Sequence, residues 1–370
     1  MTTAVLLVSH SPQRSGAEKV MLDVAAECAR RGADVAVACP AGPLSDSFEP
    51  WITHVEIPHL GRDHGRRSPV AVLWGMMLAY IGAARVLRRH RDRMCIANSS
   101  HTLPALRLAG FRSIAWLVHD HVVDRKMRVF ARIGAPLLDR VVAVSPTTAD
   151  GVRDLVPHVR VGRLGVDVPD RVPSAPAAHP VRVGTLSVVT PWKGLHVFLD
   201  AVSLLPQATA VVAGEAFPGD VDYAATLRER SEEPDLAGRV EFPGRVRGET
   251  AMESWSVHVS ASVKPEAGPL TVLEAMAAGV PVVATDHGGP HHLLADGRGV
   301  LVAPDDPSAL AAGIASLARD GAEVEAMVRR AFDHVAAHHD RRQTVPALVD
   351  LLIDPARDTV RLEPVAGATP

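Results

Sequence analysis

The chain has 370 residues, 47% of them hydrophobic and 22% charged, and carries a net charge of -3. That length is too great for one ordinary hydrophobic core and comfortable for two, while the composition excludes a disordered chain and a surface charged to hold nucleic acid. Cys28, Cys39 and Cys95 show no CxxC spacing, so free thiols and a cytoplasmic setting are expected rather than a disulfide framework.

The opening "MTTAVLLVSHSP" has no basic n-region, and its apolar run is too short for a signal peptide, so it is expected to be a first strand. The helical pattern "GAEKVMLDVAAECARRG" follows, then the strand pattern "ADVAVACP", which together make a βαβ unit. From Pro69 to Ala84 there is no charge, and the basic run "RVLRRHRDR" comes next. This stretch falls short of the ~20 residues of a membrane span and is weakened by Gly75 and Gly82, so a buried helix with a solvated basic end is expected. Weak association of residues 69–93 with a membrane surface is the alternative. "MCIANSS", "SIAWLVHD" and "RVVAVSP" continue the alternation, predicting a parallel sheet covered by helices over residues 1–168.

Prolines 169, 173, 176 and 180 mark residues 169–180 as a linker, since proline suits neither helix interior nor sheet centre. A second α/β domain is expected over 181–336, with strands "VRVGTLSV", "TAVVAGE", "RVEFPGRV", "VHVSAS", "PVVATD" and "GVLVAP". The helix within 337–353 is expected to pack back on the first domain, and 354–370 to be a disordered tail. Two doubly wound domains joined this way leave a cleft between the carboxyl ends of their strands, where open α/β sheets bind ligands.

The segment "SVKPEAGPLTVLEAMAAGVPVVATDHGGP" carries the chemistry. Glu266 stands in a Gly/Pro loop and Glu274 inside the helix that follows. The amides of Gly268, Leu270 and Thr271, with Pro269 between them, lie at that helix start, where free N–H groups and the positive dipole end favour a diphosphate. A carboxylate one turn further in is placed to accept hydrogen bonds from a ribose diol.

These motifs resemble the GT4 family of retaining glycosyltransferases, whose mark is a glutamate pair separated by seven residues and followed by "EAMA.G.PVV.T..GG". The resemblance covers nearly the whole chain. "SGAE" at Ser15 to Glu18 is similar to the family's glycine loop, which makes Ser15, Gly16 and Ala17 an acceptor or phosphate loop. "VHD" at Val118 to Asp120 supplies the donor-site histidine, His119. "VAVSP" at 142–146, "GVD" at 165–167, "KG" at Lys193 and "VEFPGRV", ending in Arg245 and Val246, follow in the family's order. The resemblance implies the GT-B fold, two Rossmann-like doubly wound domains facing each other across a cleft. It implies transfer of a sugar from a nucleotide diphosphate donor, UDP-sugar foremost, with retention of configuration and no metal or other cofactor. Glu266 would then meet the donor sugar's hydroxyls, Glu274 the ribose and Lys193 the diphosphate. The expected acceptor is a bacterial natural product or other small molecule, with a lipid or polysaccharide as the alternative.

The chain departs from the pattern at Thr185, where the family has arginine, at Leu164 for asparagine, and at His291 for glutamate. The missing arginine shifts the phosphate load to Lys193, the amides of 268–271 and Lys264. The departures leave room for a non-catalytic binding protein or a pseudo-glycosyltransferase, and the carboxylate pair for a glycoside hydrolase. His119 and His121 fall on one face of an extended strand, a spacing that would also serve a metal. The helix terminus and Lys193 can carry the phosphate charge instead, and no metal is expected.

Overall fold

The computed structural model describes residues 3–60, 69–121, 124–156, 158–173, 181–319 and 321–353. The proposed tail and most of the proline-rich linker lie outside them. The first half runs β1 (Ala4–Val8), α1 (Gly16–Arg30), β2 (Asp34–Cys39), β3 (Thr53–Glu56), α2 (Pro69–Leu87), β4 (Met94–Ala97) and α3 (Leu103–Ala109). It continues through β5 (Ile114–Val118), α4 (Arg125–Gly134), β6 (Leu138–Ala143), α5 (Pro146–Asp150) and β7 (Val159–Val161). Its strands form a seven-stranded sheet in the order β3-β2-β1-β4-β5-β6-β7, every neighbouring pair parallel.

The second half runs β8 (Val181–Leu186), α6 (Leu195–Ser203), β9 (Ala208–Ala213), α7 (Val221–Ser231), β10 (Val240–Gly244), α8 (Gly248–Met252) and β11 (Val257–Ser260). Then come α9 (Leu270–Ala277), β12 (Val282–Thr285), α10 (Gly289–Leu294), β13 (Val300–Val302), α11 (Pro307–Leu317), α12 (Ala322–His338) and α13 (Arg341–Ile353). Its six-stranded parallel sheet has the order β10-β9-β8-β11-β12-β13. In both sheets the order reverses beside the first strand, so each has a topological switch point at its carboxyl edge.

Aliphatic runs specify these strands because both faces of each sheet are covered. In β1, Val5 and Leu7 pack with Met21 and Val24 of α1, whereas Leu6 and Val8 pack with Ala83 and Leu87 of α2. The period of two along the strand thus meets a helical layer on either side. Leu164 and Val144 of the first half share one apolar cluster with Leu270 of the second. After α12 the chain crosses back: Val166 bridges Asp340, and α13 lies against α1 and β6. Arg341 clamps this crossing, donating to Asp23 of α1 at 2.5 Å and to Asp167 at 2.9 Å.

The expectation of a buried helix over 69–84 holds for one stripe of α2 only. Tyr80, Ala83, Ala84 and Leu87 face the sheet, but Leu73, Trp74 and Leu78 are exposed. The helix is apolar all round, and a sheet can cover only one side of it.

Candidate functional site

A cavity of about 700 Å³ lies between the carboxyl edges of the two sheets, lined from both halves. The first half contributes Ser15, Gly16 and Lys19 at the start of α1. The second contributes Leu270, Thr271 and Glu274 of α9, with Arg245 and Val246 after β10. Two helix N-termini, with amides unpaired by their own helices, therefore open on one space, an arrangement that favours an anion.

Glu266 is buried behind this wall, in the loop between β11 and α9. Its carboxylate accepts from Lys193 Nζ at 2.5 Å, from Ser260 Oγ at 3.3 Å and from Ser262 Oγ. Burial alone would push its pKa up; the Lys193 ammonium and the serine hydroxyls outweigh it and hold the carboxyl below its ordinary range. The backbone fixes this group. Gly289 N–H donates to the Glu266 carbonyl at 2.6 Å, and Gly288 has φ of +66°, where an added Cβ would sit 2.4 Å from that carbonyl oxygen. Only glycine fits there.

Lys193 is held as firmly. It ends a short turn whose Trp192 carbonyl accepts from Val263 N–H at 2.9 Å, and its ammonium lies 4.3 Å from the Trp192 ring centroid. Gly194 follows with φ of +66° and would place a Cβ 2.0 Å from the Ala261 carbonyl oxygen. The "KG" pair is therefore a backbone requirement as well as a charge.

Glu274 accepts from Lys19 Nζ at 2.5 Å, an ion pair that joins the halves across the cavity. His119, after β5, is partly buried, and its Nε2 lies 2.8 Å from Asn98 Oδ1. Asn98 Nδ2 donates to the Ala17 carbonyl at 3.4 Å, which orients the amide so that His119 donates through Nε2 and keeps Nδ1 as an acceptor. Burial pushes the His119 pKa down to about 3, so the ring is neutral near pH 7.

Of the residues singled out in the sequence, Ser15, Gly16, Leu270, Thr271, Glu274, Arg245 and Val246 line the cavity. Pro269 is buried as the residue capping α9, with Gly268 just before it, and Ala17 stands in the first turn of α1. Thr185 and Lys264 are not brought to the cavity wall. Thr185 is buried inside β8, paired with Val212 of β9, and the wall is made by the next residues, Leu186, Ser187 and Val188. Lys264 is exposed, and His291 is an exposed partner of Asp286 at 2.6 Å. Sequence reasoning missed Arg14, Lys19 and Arg247, which line the cavity. Their signal was present: a cation stands on each side of the glycine loop in "QRSGAEK", and two arginines sit in "GRVRG".

Two parallel-sheet domains with a shared cavity at their carboxyl edges make the GT-B architecture. Within that class the description "Glycosyltransferase Family 4" matches residues 14–169 and "Glycosyl transferases group 1" matches residues 171–334, and the chain belongs to this family. It is 35% identical over 148 residues to the lipopolysaccharide core biosynthesis mannosyltransferase LpsB of Rhizobium meliloti. That match takes in 37% of this chain, and the chain spans less than half, 41%, of the relative's length. It is 28% identical to a phosphatidyl-myo-inositol mannosyltransferase of Mycobacterium tuberculosis, across 81% of this chain and 82% of that one. The fold is shared with HepE of Anabaena, solved in complex with UDP and glucose, at a TM-score of 0.80 and 24% identity over 93% of this chain and 97% of that one.

Proposed function

We propose that the protein is a retaining glycosyltransferase that moves a sugar from a nucleoside diphosphate donor, UDP-sugar foremost, without a metal. The observation that carries this reading is the convergence on α9: its N-terminus and Glu274 open on the cavity while Glu266, locked to Lys193, stands in the loop just before it.

In this reading the diphosphate lies between the α1 and α9 termini, Glu274 exchanges Lys19 for the ribose hydroxyls, and Glu266 accepts from hydroxyls of the donor sugar. Lys193 meets the negative charge that builds on the phosphate as the bond from the anomeric carbon to the phosphate oxygen breaks. Arg14, Arg245 and Arg247 on the cavity wall supply the cations that Thr185 does not. The acceptor oxygen bonds to the anomeric carbon on the same face, and its proton passes to the departing phosphate oxygen. His119, neutral, accepts from a sugar hydroxyl through Nδ1 and orients the ring.

For the acceptor we propose a lipid-linked or polysaccharide-linked glycan or polyol, supported by relatives described as acting in lipopolysaccharide core biosynthesis and on phosphatidyl-myo-inositol; a free small molecule, as in relatives described as D-inositol 3-phosphate glycosyltransferases, is the competing arm of the test. The buried free thiols of Cys28, Cys39 and Cys95 support a reducing, cytoplasmic setting. Titration calorimetry with UDP, GDP and ADP tests the donor site. One of the three should bind tightly, and a flat trace for all of them would sink the proposal.

A further inference from the structure

The outer face of α2 has no role in the cavity. Val70, Leu73, Trp74, Met77 and Leu78 are 42% to 68% exposed, and their spacing of three and four residues sets them in one stripe along the helix. The opposite stripe, Tyr80, Ala83, Ala84 and Leu87, is locked into the core of the first sheet. So α2 is apolar on both sides with one side uncovered, a larger unbroken apolar surface than isolated exposed side chains would make.

The same layer extends the face. α2 packs on α3 and α3 on α4, and Arg107 of α3 donates to the Ile133 carbonyl of α4 at 2.8 Å. Leu108, Val129 and Ile133 are exposed beside Arg107 and Arg132. The charge along α2 and the turn after it has one sign: residues 69–91 carry Arg85, Arg88, Arg89 and Arg91 and no acidic residue. Arg85, Arg88 and Arg89 are exposed at the carboxyl end of α2.

We propose that this face docks on a bilayer carrying anionic phospholipid, with α2 lying in the plane of the interface. Two observations select this occupant. Apolar side chains with an exposed tryptophan, bordered by arginines, match the acyl boundary and the phosphate layer above it. A second copy of the chain fits poorly, because a two-fold contact would set Arg85, Arg88 and Arg89 against their own copies with no acidic residue on α2 to offset them. The helix does not cross the bilayer, since crossing would pull Tyr80 to Leu87 out of the core. Docking also positions the cleft. Tyr80 Oη donates to the His101 carbonyl at 3.1 Å, just beyond the carboxyl end of β4, so the docked helix is tied to the rim from which an acceptor enters.

The test is flotation of the full chain with vesicles of phosphatidylcholine alone and with phosphatidylglycerol added, at about 0.05 M and about 0.5 M salt. The account predicts binding to the anionic vesicles at low salt, weakened by salt. The triple variant Leu73→Ser, Trp74→Ser, Leu78→Ser should lower partitioning at least about tenfold, and Arg88→Glu with Arg89→Glu should do likewise. Each variant should keep the wild-type melting temperature and UDP affinity, which separates lost docking from lost folding and from failure of the donor reading. Equal flotation of the triple variant, or equal binding to neutral and anionic vesicles, would overturn the proposal. So would no flotation together with a dimer by light scattering that the triple variant dissolves.

Discussion

The carboxyl edges of the two sheets are built on one plan and finished differently. In the second half the edge centres on an ion pair: Glu266 holds Lys193, Ser260 and Ser262, while Thr285 Oγ1 and His287 Nε2 both meet the Ser262 carbonyl; Ser187 Oγ, His287 Nδ1 and both ring nitrogens of His258 are buried there without a hydrogen-bond partner. In the first half His10 and His101 stack at 4.7 Å between ring centroids, and His10 Nδ1, Ser100 Oγ and His121 Nε2 are buried without a hydrogen-bond partner. A buried polar atom left unpaired costs stability. Such atoms stand on both edges, so what separates the edges is charge: an ion pair on that of the second half, stacked neutral histidines on that of the first.

The sharpest way to break this contrast is to unpair the charged side. Glu266→Gln and Lys193→Met should each lower kcat/KM by a factor on the order of a hundred or more, since charge stabilisation in the transition state is lost. Each should also destabilise the fold by about 3 kcal/mol, because the other partner is left buried and unneutralised. The double variant should recover much of that stability in urea unfolding and none of the turnover. Recovery of both would make the pair structural only.

Acid should act through histidines that the fold keeps neutral. Burial pushes His258, stacked on Trp255, down to about 4, and His10 down to about 3. An unfolded histidine takes its proton near pH 6.5, so below that pH the unfolded state binds more protons and stability falls as pH falls toward 4. Each such histidine contributes about 1.4 kcal/mol per pH unit in that window. His258→Phe should remove one such share from the slope of unfolding free energy against pH; an unchanged slope would show that the ring is protonated in the folded chain.

Two smaller effects sharpen the comparison. Lys19→Ala removes a half-exposed ion pair that, on the proposed donor pose, competes with ribose for Glu274, and calorimetry should show UDP binding tighter by a few-fold, on the order of 1 kcal/mol or less. Weaker binding would mean that Lys19 touches the nucleotide itself. Turnover in excess EDTA should be unchanged if, as proposed, cations of the chain carry the phosphate charge; loss restored by added Mg²⁺ or Mn²⁺ would refute metal independence.

The sequence was most legible where local pattern and backbone need coincide. Aliphatic runs between turn signals located the long strands of both sheets, and Gly194 and Gly288 mark turns that no other residue fits. The short edge strands β3 and β7 escaped, since "THVE" and "VRV" have no pattern distinct from a loop. Cross-cavity partners were also invisible: 255 residues separate Lys19 from Glu274, and nothing local announces their contact. Thr185 misled for a related reason. A motif position names a residue, while strand alternation decides which way it points, and here the wall falls to Leu186 to Val188. Helix α2 read as buried because its composition is apolar, and composition does not say how many sides the fold can cover.

Transfer with retention is the central claim, and proton NMR of the product's anomeric centre tests it most directly. The full chain is incubated with an α-linked UDP-sugar and either a lipid-linked glycan or a free polyol. The account predicts an α-linked product, formed with release of UDP and with no sugar found on Glu266 by mass spectrometry. A β-linked product, or a glycosylated Glu266, would contradict it.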